Sequence, residues 1–501
     1  MTLTRLEAHR TSGVGWRSLR DGTISGDTPP VVSGDRFLYS DVQVTEFQSR
    51  MSGSGPFYAR GDAGFGGSWS PDDGLRALAS ANNWILDTSG SYWTQKVPME
   101  SNDPWPGSRR AEEPEAEREA HRAVVKAAWC YMTVPSHPNR DSWRNEVKSL
   151  LLWTAAQSNH DFTDNTKYPI DYPSWAPSPI FAVAYWLTRL VRAYDWLGRE
   201  SFSSAELDTL DRFFYGAANY FLQYFHITRI GSKVPNRLSF DFNTTHPDMT
   251  GYWSQNGSYH YAYDGSPRVS KCGYWNNRQA HHVEFGAYVA NYFKFHGVTP
   301  PSGGTQPSYG WLTVDDMLLH TKVYVAEWLH FSVSPLGYCF DYHRGTLTGQ
   351  NAGWWYASNE ILGAVQIADF FARRGDNSVW DLSTTGGRNN TSGSPNDTPG
   401  VSGFPAKTIE FMMWAHVRYV NDAWGRRLNG SPLTTNNPYR DVMGAAIVSG
   451  RHPSNVILES AWKRSGNGFP PYPQTAEQQG VWGGFNGMGG YWAGLIEVGG
   501  V

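Results

Sequence analysis

Asn277-Arg278-Gln279-Ala280-His281-His282-Val283-Glu284-Phe285-Gly286-Ala287-Tyr288 is the stretch whose spacing decides the fold. Asn277, His281, Glu284 and Tyr288 stand at i, i+4, i+7 and i+11, so on an α-helix they share one stripe. The spacing predicts a helix over 277–296. Outward from it, apolar residues recur at three- and four-residue intervals near 119–133, 142–157, 178–197, 204–226, 313–332, 354–373 and 405–425. Ser203 or Ser204 with Glu206 supplies a capping signal for one of these helices, and Gly198 follows the end of another. Helices of this length joined by Gly-, Asn-, Asp- and Trp-rich loops suit stacked antiparallel pairs. With no strict repeat along the chain, a regular solenoid is disfavoured. The fold class is mainly α.

The periodicity stops at both ends of the 501-residue chain. Residues 1–106 are broken by Ser-Gly, Asp-Gly and Pro-Pro pairs, with apolar alternation only at Phe37–Phe47, and read as an irregular arm. Residues 107–430 are the helical domain. Residues 431–501 read as a Gly- and aromatic-rich segment packed on it. Inside the helical domain, 233–275 is a loop crowded with Tyr, Trp, Asn, His and Gly, and so long a loop in a compact domain is usually functional.

Lys+Arg 42 against Asp+Glu 46 leaves a formal charge of −4. That balance gives no electrostatic footprint for nucleic acid or an anionic membrane. The longest apolar run in a predicted helix, Ile180–Leu187, falls far short of the ~18 residues of a membrane span. The first residues, Met1 to Glu7, show no basic segment leading into an apolar one. The expectation is cytoplasmic synthesis, with release by lysis or carriage on a virion. Cys130, Cys272 and Cys339 are odd in number and widely spaced, which reads as three core thiols rather than a disulfide framework or zinc site. The chain also has 23 Trp, 27 Tyr and 24 Phe. Such an excess of rigid amphipathic rings suits stacking on sugar faces, although single tryptophans in helical domains are mostly core residues.

Two constellations carry chemistry. The first is Tyr274-Trp275-Asn276-Asn277-Arg278 with His281, His282 and Glu284, at the junction of the long loop and the 277–296 helix. It reads as a groove lined by amide, imidazole and carboxylate; the plainer alternative is an Asn276 helix cap and hydrogen-bonded core histidines. The second is Gly337-Tyr338-Cys339-Phe340-Asp341-Tyr342-His343-Arg344, followed by a helix opening Trp354-Trp355-Tyr356. Asp341 can hold the Arg344 guanidinium while its other donors grip a carboxylate, or the two can be a structural salt bridge.

Together these elements resemble the alginate lyase family of helical-toroid polysaccharide lyases. That family carries an Asn-Asn-His motif opening one helix, an acidic residue three before an Arg, and a Tyr on the next helix. Asn276-Asn277, Asp341-x-x-Arg344 and Tyr356 match these elements, and the likeness spans roughly 115–375. Arg278 stands where the family has its histidine, which leaves the imidazole role to His281 or His282. The resemblance implies an incomplete (α/α) toroid with a groove across one end, and β-elimination on a uronic-acid polymer. Asn277 and Arg344 would neutralise the uronate carboxylate, and Tyr356 would move the proton. Asn276, Arg278, Tyr274, Trp275, Tyr342, His343, Trp355 and Glu284 would line the substrate site. Arg268 or Lys271 would add positive charge near it. The partner is an anionic polysaccharide; no metal or cofactor motif is present. The rival readings are an inverting glycoside hydrolase using two of Asp264, Glu284, Asp341 and Glu360, and a non-catalytic glycan-binding or virion protein.

Overall fold

The computed structural model describes residues 34–48 in part, 127–156, 180–225, 277–303, 310–333, 352–384 and 405–421, with a few isolated positions besides. After helical residues 127–133 come α1 (Arg140–Ala156), α2 (Ile180–Leu197), α3 (Ser204–Phe225), α4 (Asn277–His296), α5 (Val314–Glu327), α6 (Ala352–Arg373) and α7 (Ile409–Asn421). The described residues contain no β-strand, only an isolated antiparallel bridge between Thr384 and Lys407. No helix among them is long and apolar enough to cross a membrane.

Local chemistry sets the helix ends. Ser203 and Glu206 form a reciprocal box at the start of α3: the Ser203 amide donates to Glu206 Oε2 at 2.7 Å and the Glu206 amide to Ser203 Oγ at 3.4 Å. Thr313 and Asp316 repeat the device on α5. Gly198 ends α2 with φ 77°, a left-handed conformation that suits glycine. The 313–332 periodicity is one helix only as far as Glu327; Trp328–Ser332 widens into a π turn. The turn is tied down by the buried Lys407 ammonium, which donates to the carbonyls of His330 (2.9 Å) and Val333 (2.8 Å).

Contacts between helices fix their directions. Arg192 meets Glu284, Asp195 meets Tyr288, and Arg199, just past α2, meets Tyr292, so α2 and α4 run parallel. Ala280 lies against Gly363, Tyr288 against Phe370 and Asn291 against Arg374, so α4 and α6 are parallel as well. The helices between them run back. Phe221 packs on Phe285 and Tyr215 on Phe293, which makes α3 antiparallel to α4. In the middle of that contact a Cβ on Gly286 would collide with the Leu222 side chain. Helix α5 starts beside the end of α4, where Lys294 pairs with Asp315 at 2.8 Å, and packs against α4. On α6, Ser358 faces His416 and Leu362 shares Gly444 with Met413, so α7 is antiparallel to α6. Helices α2, α4 and α6 therefore all begin at one end of the bundle.

The opposite end is closed by the described part of the arm. Phe37 inserts among Tyr288, Phe295 and Phe370, and Tyr39 stacks on Trp196 and meets Trp129 edge-on. The buried Asp195 carboxylate accepts from the Phe37 amide at 2.6 Å, the Leu38 amide at 2.9 Å and the Tyr288 hydroxyl at 2.7 Å. Arg36 donates to the last carbonyls of α2, and Arg373 reaches the Leu38 carbonyl. Among the described residues the aromatic excess serves mainly the core: Trp129, Trp143, Trp196 and Trp328 are all fully buried. Cys130 and Cys339 are buried free thiols, and Cys272 lies outside the described residues.

Replacing Asp195 by Ala orphans three buried donors at once. At about 1–3 kcal/mol each, Asp195→Ala should destabilise the fold by at least about 3 kcal/mol in urea unfolding and release the 34–40 strap to limited proteolysis. At the same end, burial pushes the His296 imidazole down from its ordinary 6.5 to about 4, with the Arg199 charge adding to the effect. The unfolded chain takes up this proton first, so the stability it contributes is complete above about pH 6.5 and is lost as pH falls toward 4. Between pH 7 and 5 the wild type should lose more stability than His296→Gln.

Candidate active site

Helix α4 begins at Asn277, and its first three turns carry Asn277, Gln279, His281, His282 and Glu284, all buried. Asn277 is 4% exposed, His281 3% and Glu284 2%. Two members of the stripe predicted from spacing, Glu284 and Tyr288, face α2. Glu284 Oε1 lies 3.6 Å from Arg192 Nη2, and Glu284 Oε2 lies 3.6 Å from Nδ1 of His281 one turn earlier. These are ion-pair separations in the interior of the bundle, longer than hydrogen bonds. The Arg192 guanidinium also sits 5.6 Å over the Tyr288 ring, the next member of the stripe.

The two adjacent histidines part company. His281 shares the stripe with Glu284, whereas His282 sets its ring, tilted, 5.2 Å from that of Phe221 of α3 and pairs Nδ1 with Gln279 Oε1 at 3.3 Å. His282 has the surroundings of a hydrogen-bonded core residue. On α6, Ser358, Asn359 and Glu360 are buried across the second and third turns, Ser358 paired with His416 Nε2 at 3.2 Å. Tyr356 and Trp355 belong to the first turns of α6, and Arg278 to the first turn of α4. Since α4 and α6 are parallel, the first turns of both helices lie at the same end of the bundle. Tyr274, Trp275, Asn276, Tyr342, His343 and Arg344 lie outside the described residues, as do Asp264, Arg268, Lys271 and Asp341.

Sequence reasoning passed over Arg192 and Asp195. Their signal is the run Arg189, Arg192, Asp195 at three-residue steps on α2, an otherwise apolar helix. Buried charges on such a helix need partners; α4 supplies Glu284 to Arg192 and, with the strap amides, Tyr288 to Asp195. At this end α2, α4 and α6 begin while α3 and α7, which run the other way, finish, so their backbone dipoles oppose one another. Among the described residues no three of His, Cys, Asp and Glu come together in a metal-holding group. Neither a protein-family model nor a curated protein matches the chain.

Removing one member of a buried ion pair costs about 3–5 kcal/mol, whereas replacing both with apolar groups of similar size is often neutral. Arg192→Met should therefore cost several kcal/mol. Arg192→Met combined with Glu284→Leu should recover most of that loss in a double-mutant cycle followed by urea unfolding.

Proposed function

We propose that the protein is a polysaccharide lyase that cleaves an anionic, uronate-containing polysaccharide of the alginate type by β-elimination. The observation that carries this reading is the parallel start of α2, α4 and α6. It sets the turn bearing Asn277 and His281 and the turn bearing Tyr356 at one end of the bundle. The alternation of parallel α2, α4 and α6 with returning helices is also what an incomplete (α/α) toroid over residues 107–430 requires.

A uronate resists loss of its C5 proton because its carboxylate repels further negative charge. Asn277 and Arg344 donate to that carboxylate and lower this cost. A basic group takes the C5 proton, the C5–H electron pair becomes the C4–C5 double bond, and the C4–O bond breaks. The departing sugar oxygen takes a proton from the Tyr356 phenol. No water is consumed, and the new chain end is an unsaturated uronate.

A hydrolase needs two carboxyl groups flanking the scissile bond. Glu284 is engaged by Arg192 and His281, and the α4/α6 register sets Glu360 about two turns, roughly 10 Å, from it along the helix axes. The mass of the products decides between elimination and hydrolysis.

Incubation with alginate, polyglucuronate, a hyaluronan-type polymer and a neutral glucan should yield ultraviolet-absorbing unsaturated products from a polyuronate and none from the glucan. Arg344→Ala and Asn277→Ala should each lose about 10²–10³ in turnover. Tyr356→Phe should nearly abolish product while polymer binding persists. Products heavier by one water, with Tyr356→Phe fully active, would replace the lyase by a hydrolase.

A further inference from the structure

The strap residues Arg36-Phe37-Leu38-Tyr39 are gripped by helices far along the chain, through side chains and main chain alike. Phe37 and Leu38 are wholly buried. Phe37 fills a socket walled by Tyr288 and Phe295 of α4 and Phe370 of α6. Tyr39 stacks on Trp196 of α2, with the Arg373 guanidinium 5.5 Å over its ring. The Asp195 carboxylate reads the main chain by accepting from the amides of Phe37 and Leu38, and Arg373 donates to the Leu38 carbonyl. At the rim, Arg36 donates to the Trp196 carbonyl at 2.9 Å and pairs with Glu200 at 2.9 Å. The walls of this socket also hold one another. Tyr288 packs on Phe370 with ring centres 5.0 Å apart, Tyr288 donates to Asp195, and Arg373 pairs with Asp369 at 2.7 Å. An aromatic anchor in a pocket, charge-assisted bonds to the main chain and an arginine at the rim are the parts of a peptide-binding interface.

We propose that the closed end of the bundle is a peptide-binding site, and that the chain's own Arg36–Tyr39 segment is its ligand, docked there by non-covalent contacts alone. The ligand class follows from the contacts: a basic residue, then Phe, an aliphatic residue and Tyr, with free amides at the second and third positions. Proline at either of those positions has no donor for Asp195. The covalent route from the strap to the first body helix runs through residues 49–123, and the docking does not need it. A chain cut within that stretch therefore keeps its first 48 residues. Docked in this way, the strap joins residues 1–33 to the end of the bundle opposite the first turns of α4 and α6. The site is independent of the lyase chemistry.

The test is exchange of the strap for a copy of itself. A fluorescent peptide of residues 33–48 is added to the full chain and followed by anisotropy. The wild type, whose socket is filled, should not take it up. The full-length variant Phe37→Ala with Leu38→Pro, checked for fold by circular dichroism, loses the anchor ring and one amide from its own strap and should bind the peptide. The same peptide carrying Phe37→Ala should bind that variant at least about 30-fold more weakly. A folded variant that ignores the peptide, or that binds both peptides equally, overturns the proposal. Should the variant fail to fold, the wild-type strap decides it. A specific protease site is inserted in the Ser52-Gly53-Ser54-Gly55 tract and cleaved under native conditions. Co-elution of the 1–48 piece with the body in gel filtration supports the docking, and its loss overturns it.

Discussion

The fold depends on one buried carboxylate, Asp195. It stands in the last turn of α2 and gathers three donors that come from two separate parts of the chain: the amides of Phe37 and Leu38, and the hydroxyl of Tyr288 in α4. Burial pushes the Asp195 carboxyl above the usual carboxylate range, and these three hydrogen bonds with the Arg36 charge pull it back. Burial also holds the Tyr288 phenol well above its ordinary value, so it stays a donor. One turn earlier on α2, Arg192 meets Glu284, one turn earlier on α4. Two polar contacts at matched heights lock α2 and α4 in a parallel register. A slip of one turn would break both pairs.

That register makes the two ends of the bundle chemically different. At the closed end, Arg36 caps the carbonyls of Trp196 and Leu197, Arg373 pairs with Asp369 and reaches the strap, and Arg374 takes the Asn291 side-chain oxygen at 2.5 Å. Arg199 grips Asp211 through two nitrogens at 3.1 and 2.9 Å. Each of these cations stands beside a carboxylate or a carbonyl, with Asp195, Asp211 and Asp369 buried or half-buried among them. The strap lays Phe37, Leu38 and Tyr39 over the same end, where α2, α4 and α6 finish.

Much of this was legible in the sequence, because helices announce themselves by period. The stripe Asn277, His281, Glu284 and Tyr288 needed only the spacing of four residues, and the boxes at Ser203 and Thr313 are local hydrogen bonds between residues three apart. The strap was not legible. Gly34–Ser40 has no period, and it is ordered by contacts with residues more than a hundred positions away, such as Asp195 and Arg373. The separation of His281 from His282 was hidden for a similar reason. Adjacent residues on a helix point about 100° apart, and only the placement of α2 and α3 decides what each imidazole meets. The tryptophan excess spoke first of packing, since Trp129, Trp143, Trp196 and Trp328 fill the core.

Buried charge is a poor way to stabilise a helical bundle, since well-packed apolar residues usually serve as well. Each buried charge therefore needs a use that Leu or Phe could not supply. Asp195 has the strap amides, Asp369 and Arg373 have the strap carbonyl, and Lys407 has the open carbonyls of the π turn. Arg192 and Glu284 join α2 to α4 one turn before Asp195 meets Tyr288, and the Arg192 charge also acts on the buried Tyr39 phenol of the strap. Opposite charges at one height admit one register of α2 on α4, whereas an apolar pair of the same volume would pack without specifying it.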